Sequence, residues 1–218
     1  MATNNALNKK SQELTIDPGS SGDSFVQFDI NTTGEFRVGV DDTDDSFRVS
    51  QGSALGTNDT FIVTAAGEVT RPLQPAFGSD TNDYNVNETG DGTVYTVEYN
   101  GGEYFDQGSD YDGTTTFTAP VTGKYRFNGS VLFNFLPSGA TTGFVQIVTS
   151  NRTYKSLIAG YGKLWIVGQR SANIGITSAL CDMDASDTCV IQVSISGGTK
   201  VVYVGFTDRG VFNGSLIC

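Results

Sequence analysis

The sequence predicts an all-β protein, and three observations carry that reading. Glycine is abundant at 27 of 218 residues, only 17% of the chain is charged, and Thr, Ser, Asn and Asp fill the gaps between short apolar runs. Frequent turn residues between short apolar runs mark many strands and many turns. From Lys124 to Phe135 the side chains alternate. Tyr125, Phe127, Gly129, Val131, Phe133 and Phe135 fall on one side, and Lys124, Arg126, Asn128, Ser130 and Asn134 on the other, with Leu132 the exception. A period of two over a dozen residues is a half-buried antiparallel strand with one face in a core. Finally, no run shows helical periodicity.

Taken in order, residues 1–20 have little apolar content and no period, so they read as an extended tail that orders when something binds it. Leu7, Leu14 and Ile16 are its candidate anchoring side chains, and an ordinary frayed terminus is the alternative. Residues 21–72 contain very short strands at Phe25–Phe28, Phe36–Val40, Phe47–Val49 and Phe61–Val63, separated by Asp- and Gly-rich turns. Phe-Arg-Val occurs twice, a weak internal repeat. Strands this short cannot close a stable core alone and need a partner, and three copies around one axis would bury the Phe and Val faces together. Pro72 and Pro75 interrupt pairing and mark a boundary, so that residues 73–218 form a second region.

In that region Ala76-Phe77 opens the first strand and residues 78–92 read as a polar loop. Further strands are predicted at Val94–Tyr99, Thr116–Ala119, Tyr125–Phe135, Phe144–Val148, Ser156–Ala159, Lys163–Val167, Asn173–Ile176, Val190–Ile195, Val201–Phe206 and Phe212–Ile217. Residues 136–143 and 207–211 are loops. Pro120 ends one strand, and Thr122-Gly123 turns the chain into the next. The count suits a two-sheet jelly roll.

Phe117, Thr118, Ala119, Pro120, Val121, Gly123, Tyr125 and Phe127 spell F-T-A-P-V-x-G-x-Y-x-F, which resembles the central signature of the C1q/tumour-necrosis-factor-like head. Upstream, GTVYTVEYNGGEYFDQGSDYDGTTTF is similar to that family's strand, Asn/Gly turn, Tyr-Asp turn and next strand. Downstream, Asp187–Val193 resembles the strand after an acidic turn, and Phe212–Ile217 the closing strand. The resemblance covers residues 73–218 and implies a homotrimeric jelly-roll head. FRVGVDDTDDSFRVSQGSALGTNDTFIVTAAGEVTRP resembles the shaft segments of bacteriophage tail and head fibres, which alternate F-x-V strands with D/N/G turns before a terminal knob. Shaft followed by knob implies a short intertwined β shaft carrying a C1q-like head.

The formal net charge is −11 and the pI near 4.2. A chain this acidic lacks the basic face that nucleic acid or an anionic membrane requires. The first residues are not a signal peptide and no run reaches transmembrane length, so neither secretion nor membrane insertion is expected. There is no histidine, which removes His-based nucleophilic pairs, His metal sites and the usual near-neutral base. No phosphate-cradling motif is present.

Glu98 and Glu103 flank a turn, and as a glycosidase pair they would need a cleft that nothing in the sequence indicates; no catalytic residue is assigned. Asp106, Asp110 and Asp112 are the candidate calcium ligands, with Asp41, Asp42, Asp44 and Asp45 and with Asp182, Asp184 and Asp187 as further acidic turns. Some heads of the resembled family hold calcium at the trimer axis; turn acids that merely cap backbone are the alternative, and no other cofactor is expected. Cys181 and Cys189 flank the turn 182–188, either facing each other across a hairpin or lying as two buried apolar side chains in a reduced compartment. Cys218 stands apart, and the disulfide state of the three is left open. The Asn-x-Ser/Thr sites, Asn128 among them, arise by chance from frequent Asn, Ser and Thr.

Loop aromatics are the better functional signal. Tyr84 and Tyr111 could stack on sugar rings beside Asp and Asn hydrogen-bonding groups, or pack at loop bases. The expected function is that of a virion fibre protein, made in the host cytoplasm. It attaches to another virion protein through residues 1–20 and to a host-surface glycan or protein through its head. A capsid decoration fibre and a glycan depolymerase are the alternatives.

Overall fold

The structure is a computed structural model describing residues 15–19, 21–30, 34–82, 84–157, 173–207 and 209–218. Among these residues every regular element is a strand. The chain divides into two compact units, Met1–Leu73 and Gln74–Cys218.

The first unit is a five-stranded antiparallel meander of β1 (Ser24–Ile30), β2 (Gly34–Asp41), β3 (Ser46–Gln51), β4 (Asp59–Val63) and β5 (Val69–Thr70). The first four contain the predicted runs, and β5 adds a short strand at the end. Cross-strand partners share a face of a sheet. The pairs Val26↔Val38, Phe28↔Phe36, Val40↔Phe47, Val49↔Phe61, Phe47↔Val63 and Val63↔Val69 therefore gather ten apolar side chains on one face. That face is open in the single chain: Phe28 and Val69 are more than half exposed.

The opposite face is mainly polar, and its centre is covered. Arg48 is 12% exposed and pairs with Asp41, Asp44 and Asp59, while Ser50 donates to Asp59. The loop 52–58 folds over this network, with Leu55 buried and Gly56 passing so close that a Cβ there would meet the Asp41 carboxylate. Packing in this unit is inside out relative to a globular domain.

The second unit is a two-sheet jelly roll. One sheet runs β10 (Phe117–Thr118), β15 (Thr188–Ser196), β12 (Thr142–Thr149) and β13 (Thr153–Leu157), with β8 (Tyr95–Thr96) also on β15. The other runs β7 (Asn85–Thr89), β16 (Val202–Val204), β11 (Gly123–Asn134), β17 (Val211–Leu216), β6 (Ala76–Asp80) and β9 (Gly102–Gln107). Here β14 (Asn173–Met183) lies along one edge of β11, and β17 and β16 share the other. β11 is thus hemmed in by three strands, which explains its length and regular alternation.

Its inner side chains Tyr125, Phe127, Val131 and Phe133 are fully buried, packed against Phe77, Phe117 and Phe212 and against Ile191 of the facing sheet. Gly129 and Gly214 make room for this packing, because a Cβ would stand 2.7 Å from the Ile191 side chain at the first and 2.4 Å from the Phe127 ring at the second.

Several expectations are corrected. Phe135 does not join the core face: β11 ends at Asn134 and Phe135 takes φ 58°, which turns its ring out to 45% exposure. The loop expected at 78–92 contains the end of β6 and all of β7. Val94–Tyr99 pairs as a regular strand only at Tyr95–Thr96. Beyond it, Val97 donates to Ile191 and Tyr99 to Thr114. β9 was not anticipated, and β14 runs on to Met183. The strand predicted at Lys163–Val167, with Tyr161 and Trp165, lies outside the described residues, as do Leu7 and Leu14.

Candidate functional site

The outer face of β11 changes character along its length. At its middle, Asn128 Nδ2 donates to Asn213 Oδ1 at 3.0 Å, and Ser178 Oγ donates to Asn128 Oδ1 at 2.8 Å. Toward its C-terminal end comes Leu132, the exception in the alternation. It is 3% exposed although it points away from the core. It forms part of an aromatic cup of about 510 Å³ with Tyr84, Asn134, Phe135, Tyr203, Phe206 and Arg209.

Three stretches of chain meet there, around residues 84, 132–135 and 203–209. Tyr203 on β16 stands opposite Asn134 on β11, and β16 is held between β11 and β7. Tyr84 immediately precedes β7. Gly205, at φ 84°, donates to the Leu132 carbonyl, and Thr81 Oγ1 donates to the Phe206 carbonyl, which together fix the strand exit that presents Phe206. Arg209 N donates to the same carbonyl at 3.0 Å, closing a turn before β17.

The rings form a continuous row. Phe135 lies 4.6 Å from Tyr203, Tyr203 is 5.5 Å from Tyr84, Tyr84 is 5.6 Å from Phe206, and the Arg209 guanidinium sits 5.6 Å from the Phe206 centroid. Phe135, as a bulky residue in the left-handed region, holds one end of the row at a conformational cost of order 1–3 kcal/mol, a kind of strain that clusters at functional sites. Tyr84 remains 40% exposed. Of the two tyrosines expected at the surface, Tyr84 lines the cup. Its partners Tyr203, Phe206 and Phe135 were not singled out by the sequence, although Leu132 on the polar side of β11 was a visible signal.

Tyr111 is a correction. It is 5% exposed, stacks on Phe77 at 4.9 Å, and donates its hydroxyl to the Tyr99 carbonyl, so no ring face is free for a sugar. Burial pushes its phenol well up, with Asp112 and Glu103 adding to the effect.

Two of the three candidate calcium ligands, Asp106 and Asp112, accept backbone N–H groups within turns. Asp106 accepts the backbone N–H groups of Asp110 and Tyr111, and Asp112 accepts those of Thr114, Thr115 and Thr116. Burial raises the Asp110 carboxyl, and Asp106 raises it further. For Asp112 burial is opposed and outweighed by the backbone donors of Thr116, Thr115 and Thr114, which hold it below the usual range. Among the described residues, the acidic side chains that do converge are Asp23, Asp41 and Asp42. There Asp23 accepts Asp42 N–H, and Asp41 accepts Thr43 N–H and pairs with Arg48. Asp187 similarly accepts Asp184 N–H and the Asn151 amide.

Glu98 is half-buried and accepts from the Asn100 amide at 3.4 Å, while Glu103 is exposed on β9. Cys181 and Cys189 are free thiols in the core, on β14 and β15 of opposed sheets. Burial pushes the Cys181 thiol up to about 11, and Cys189 is raised by burial and by Cys181. Thiols held this far from ionisation are inert.

No protein-family profile and no curated protein matches the chain. Among solved structures, the chain is similar to the globular domain of zebrafish complement 1qA protein at 18% identity and a TM-score of 0.46, over 66% of this chain and 98% of that one. It is similar to murine APRIL at 9% identity and a TM-score of 0.44, over 66% of this chain and 99% of that one.

Proposed function

We propose that the protein is the subunit of a homotrimeric virion fibre of bacteriophage type. Residues 1–20 are its anchor to another virion protein, its first unit is a shaft, and its second unit is the head that attaches to a host-surface glycan or protein. The observation that carries this reading is the open apolar face of the first unit. Six valines and four phenylalanines lie on one side of a five-stranded sheet, and Val26, Phe28, Phe36, Val40, Phe47 and Val69 among them are 40–58% exposed. A monomer rarely leaves so large a patch open.

The head adds a second strip. Ile174, Ile176 and Leu180 project from the outer side of β14 at 60%, 68% and 54% exposure. Three copies sharing both surfaces give a multivalent attachment device, whose avidity exceeds that of one head. Light scattering on the full chain at micromolar concentration should return three times 23.2 kDa. A monomer at that concentration would remove the shaft, and with it the fibre.

A further inference from the structure

We infer that the aromatic cup at the end of β11 is a binding site for a sugar ring bearing a carboxylate. The inference rests on the attachment reading above and names the chemistry of its ligand. At about 510 Å³ the cup has the dimensions of a small-ligand pocket. Its walls are aromatic faces, and the C–H groups on the flat side of a pyranose carry the partial positive charge that such a face attracts. Tyr84 and Phe135 keep 40% and 45% of their surface open beside their stacked neighbours. The Asn134 amide and the Tyr203 hydroxyl supply donors and acceptors at the rim, where a sugar presents hydroxyls in every direction.

Charge selects among sugars. The chain carries 24 acidic side chains against 13 basic ones, yet among the described residues the charged group lining the cup is a guanidinium. Arg48 is paired with three aspartates and Arg37 with Glu35, whereas Arg126 and Arg152, like Arg209, enter none of the ion pairs among the described residues. Arg209 lies instead against the Phe206 ring. A planar fork of N–H donors, poised on an aromatic ring and in no ion pair among the described residues, donates to a ligand carboxylate in bidentate fashion. The strained backbone at Phe135 fits the same role, because it keeps a large ring at the mouth of the cup instead of in the core.

The test uses the full-length protein and three small probes: methyl β-glucuronide, methyl α-sialoside and the neutral methyl β-glucoside. Binding is read by saturation-transfer NMR and titration up to about 20 mM, the range of single-sugar affinities. At least one carboxylated probe should bind roughly fivefold more tightly than the glucoside, the size of one exposed charge pair. Which of the two binds identifies the source as a uronic-acid polymer or a sialylated surface. Arg209→Gln should erase the preference and keep the weak neutral binding. Tyr84→Ala should lose both.

Equal binding of all three probes, no binding at the highest concentration, or a preference that survives Arg209→Gln would overturn the assignment. Light scattering on Tyr84→Ala supplies a separate check: a changed assembly mass would make the cup a contact between copies and also overturn it. Failure of the sugar assignment with the wild-type mass still at three copies leaves the fibre reading standing. A wild-type monomer that still prefers the carboxylated sugar removes the fibre and keeps the site.

Discussion

The packing of Phe127 against Gly214 offers a test in which the coupling of two effects, and not only their size, is at stake. Phe127 is fully buried at the centre of an aromatic cluster, with ring centroids 5.3 Å from Phe117, 6.0 Å from Tyr125 and Phe212, and 6.4 Å from Phe77. Phe127→Ala should destabilise the head by about 3–5 kcal/mol, combining lost transfer energy with a cavity that rigid neighbours refill poorly. Gly214 lies directly opposite on β17, and a Cβ there would stand 2.4 and 2.6 Å from two atoms of the same ring. Gly214→Ala should therefore cost about 1–3 kcal/mol through overpacking. In the Phe127→Ala background the two shortest contacts are gone and only Phe77 Cε1, at 2.9 Å, still crowds the new methyl. The methyl then occupies part of the void and removes unfolded-state freedom, so the second change should cost clearly less than in the wild type, within about 1 kcal/mol of neutral. Urea denaturation followed by near-ultraviolet circular dichroism of the tyrosines measures all four proteins. Because the folded state binds copies of itself in our reading, the chain concentration must be held fixed. Arg126→Ala, on the outer face of the same strand, is the control and should stay within about 1 kcal/mol. If Gly214→Ala costs the same with and without the Phe127 ring, the two residues are not in contact and the register of β11 against β17 is wrong.

Three further outcomes are expected. Arg48→Ala should destabilise the first unit by about 3–5 kcal/mol, since it strands Asp41 and Asp59 under the 52–58 loop without their counter-ion; protection of the β3 and β4 amides in hydrogen exchange would fall accordingly, and unchanged protection would refute the role. Asp110 and Asp112 should respond to pH with opposite signs. A carboxyl with a lowered folded pKa contributes stability that is present above its unfolded value and lost as pH falls through the folded one, so Asp112→Asn should cost about 0.5–1 kcal/mol at pH 7, allowing for solvent screening. A raised pKa reverses this, because stability then increases as pH falls through it; Asp110→Asn should be neutral or stabilising at pH 7, and a loss there would contradict the burial argument. Deleting residues 2–20 should leave assembly and thermal stability intact while abolishing incorporation into particles, and undiminished incorporation would move the anchor out of the tail.

What the sequence made legible follows from where one force dominated. β11 was readable because a strand hemmed in by β14, β16 and β17 must bury one face and expose the other, and that requirement writes a period of two into the residues. The four strands around Phe25, Phe36, Phe47 and Phe61 were readable for a similar reason, each being a short apolar run between obligate turns. β7 and β9 were not. Asn85–Thr89 and Gly102–Gln107 are polar or exposed along most of their length, and they are strands because β16 and β6 offer them backbone partners. Pairing of that kind leaves no side-chain signature. Phe135 shows the converse limit: its place in the alternation assigned it to the core, and a single positive φ removed it. The turn acids match the second of the two readings the sequence offered, since Asp106 and Asp112 accept backbone N–H groups, as Asp commonly does in turns.

The cup illustrates why a site can be assembled from residues no motif connects. Its rings come from the ends of β11 and β16 and from the approaches to β7 and β17, so their proximity is a property of the strand order β7-β16-β11-β17. Residues at the same end of adjacent strands converge even when more than a hundred positions separate them, and loops at strand ends can vary without disturbing the core beneath. The sequence could announce such a site only through a local inconsistency. Leu132 is that inconsistency, an apolar side chain on the polar side of the most regular strand in the chain, and the structure accounts for it by laying Tyr84, Tyr203 and Phe206 around it. An exception to a strong pattern costs stability unless something covers it. In this fold the cover is a row of aromatic rings ending in an arginine, and that row is the feature of the head best suited to meet a ligand.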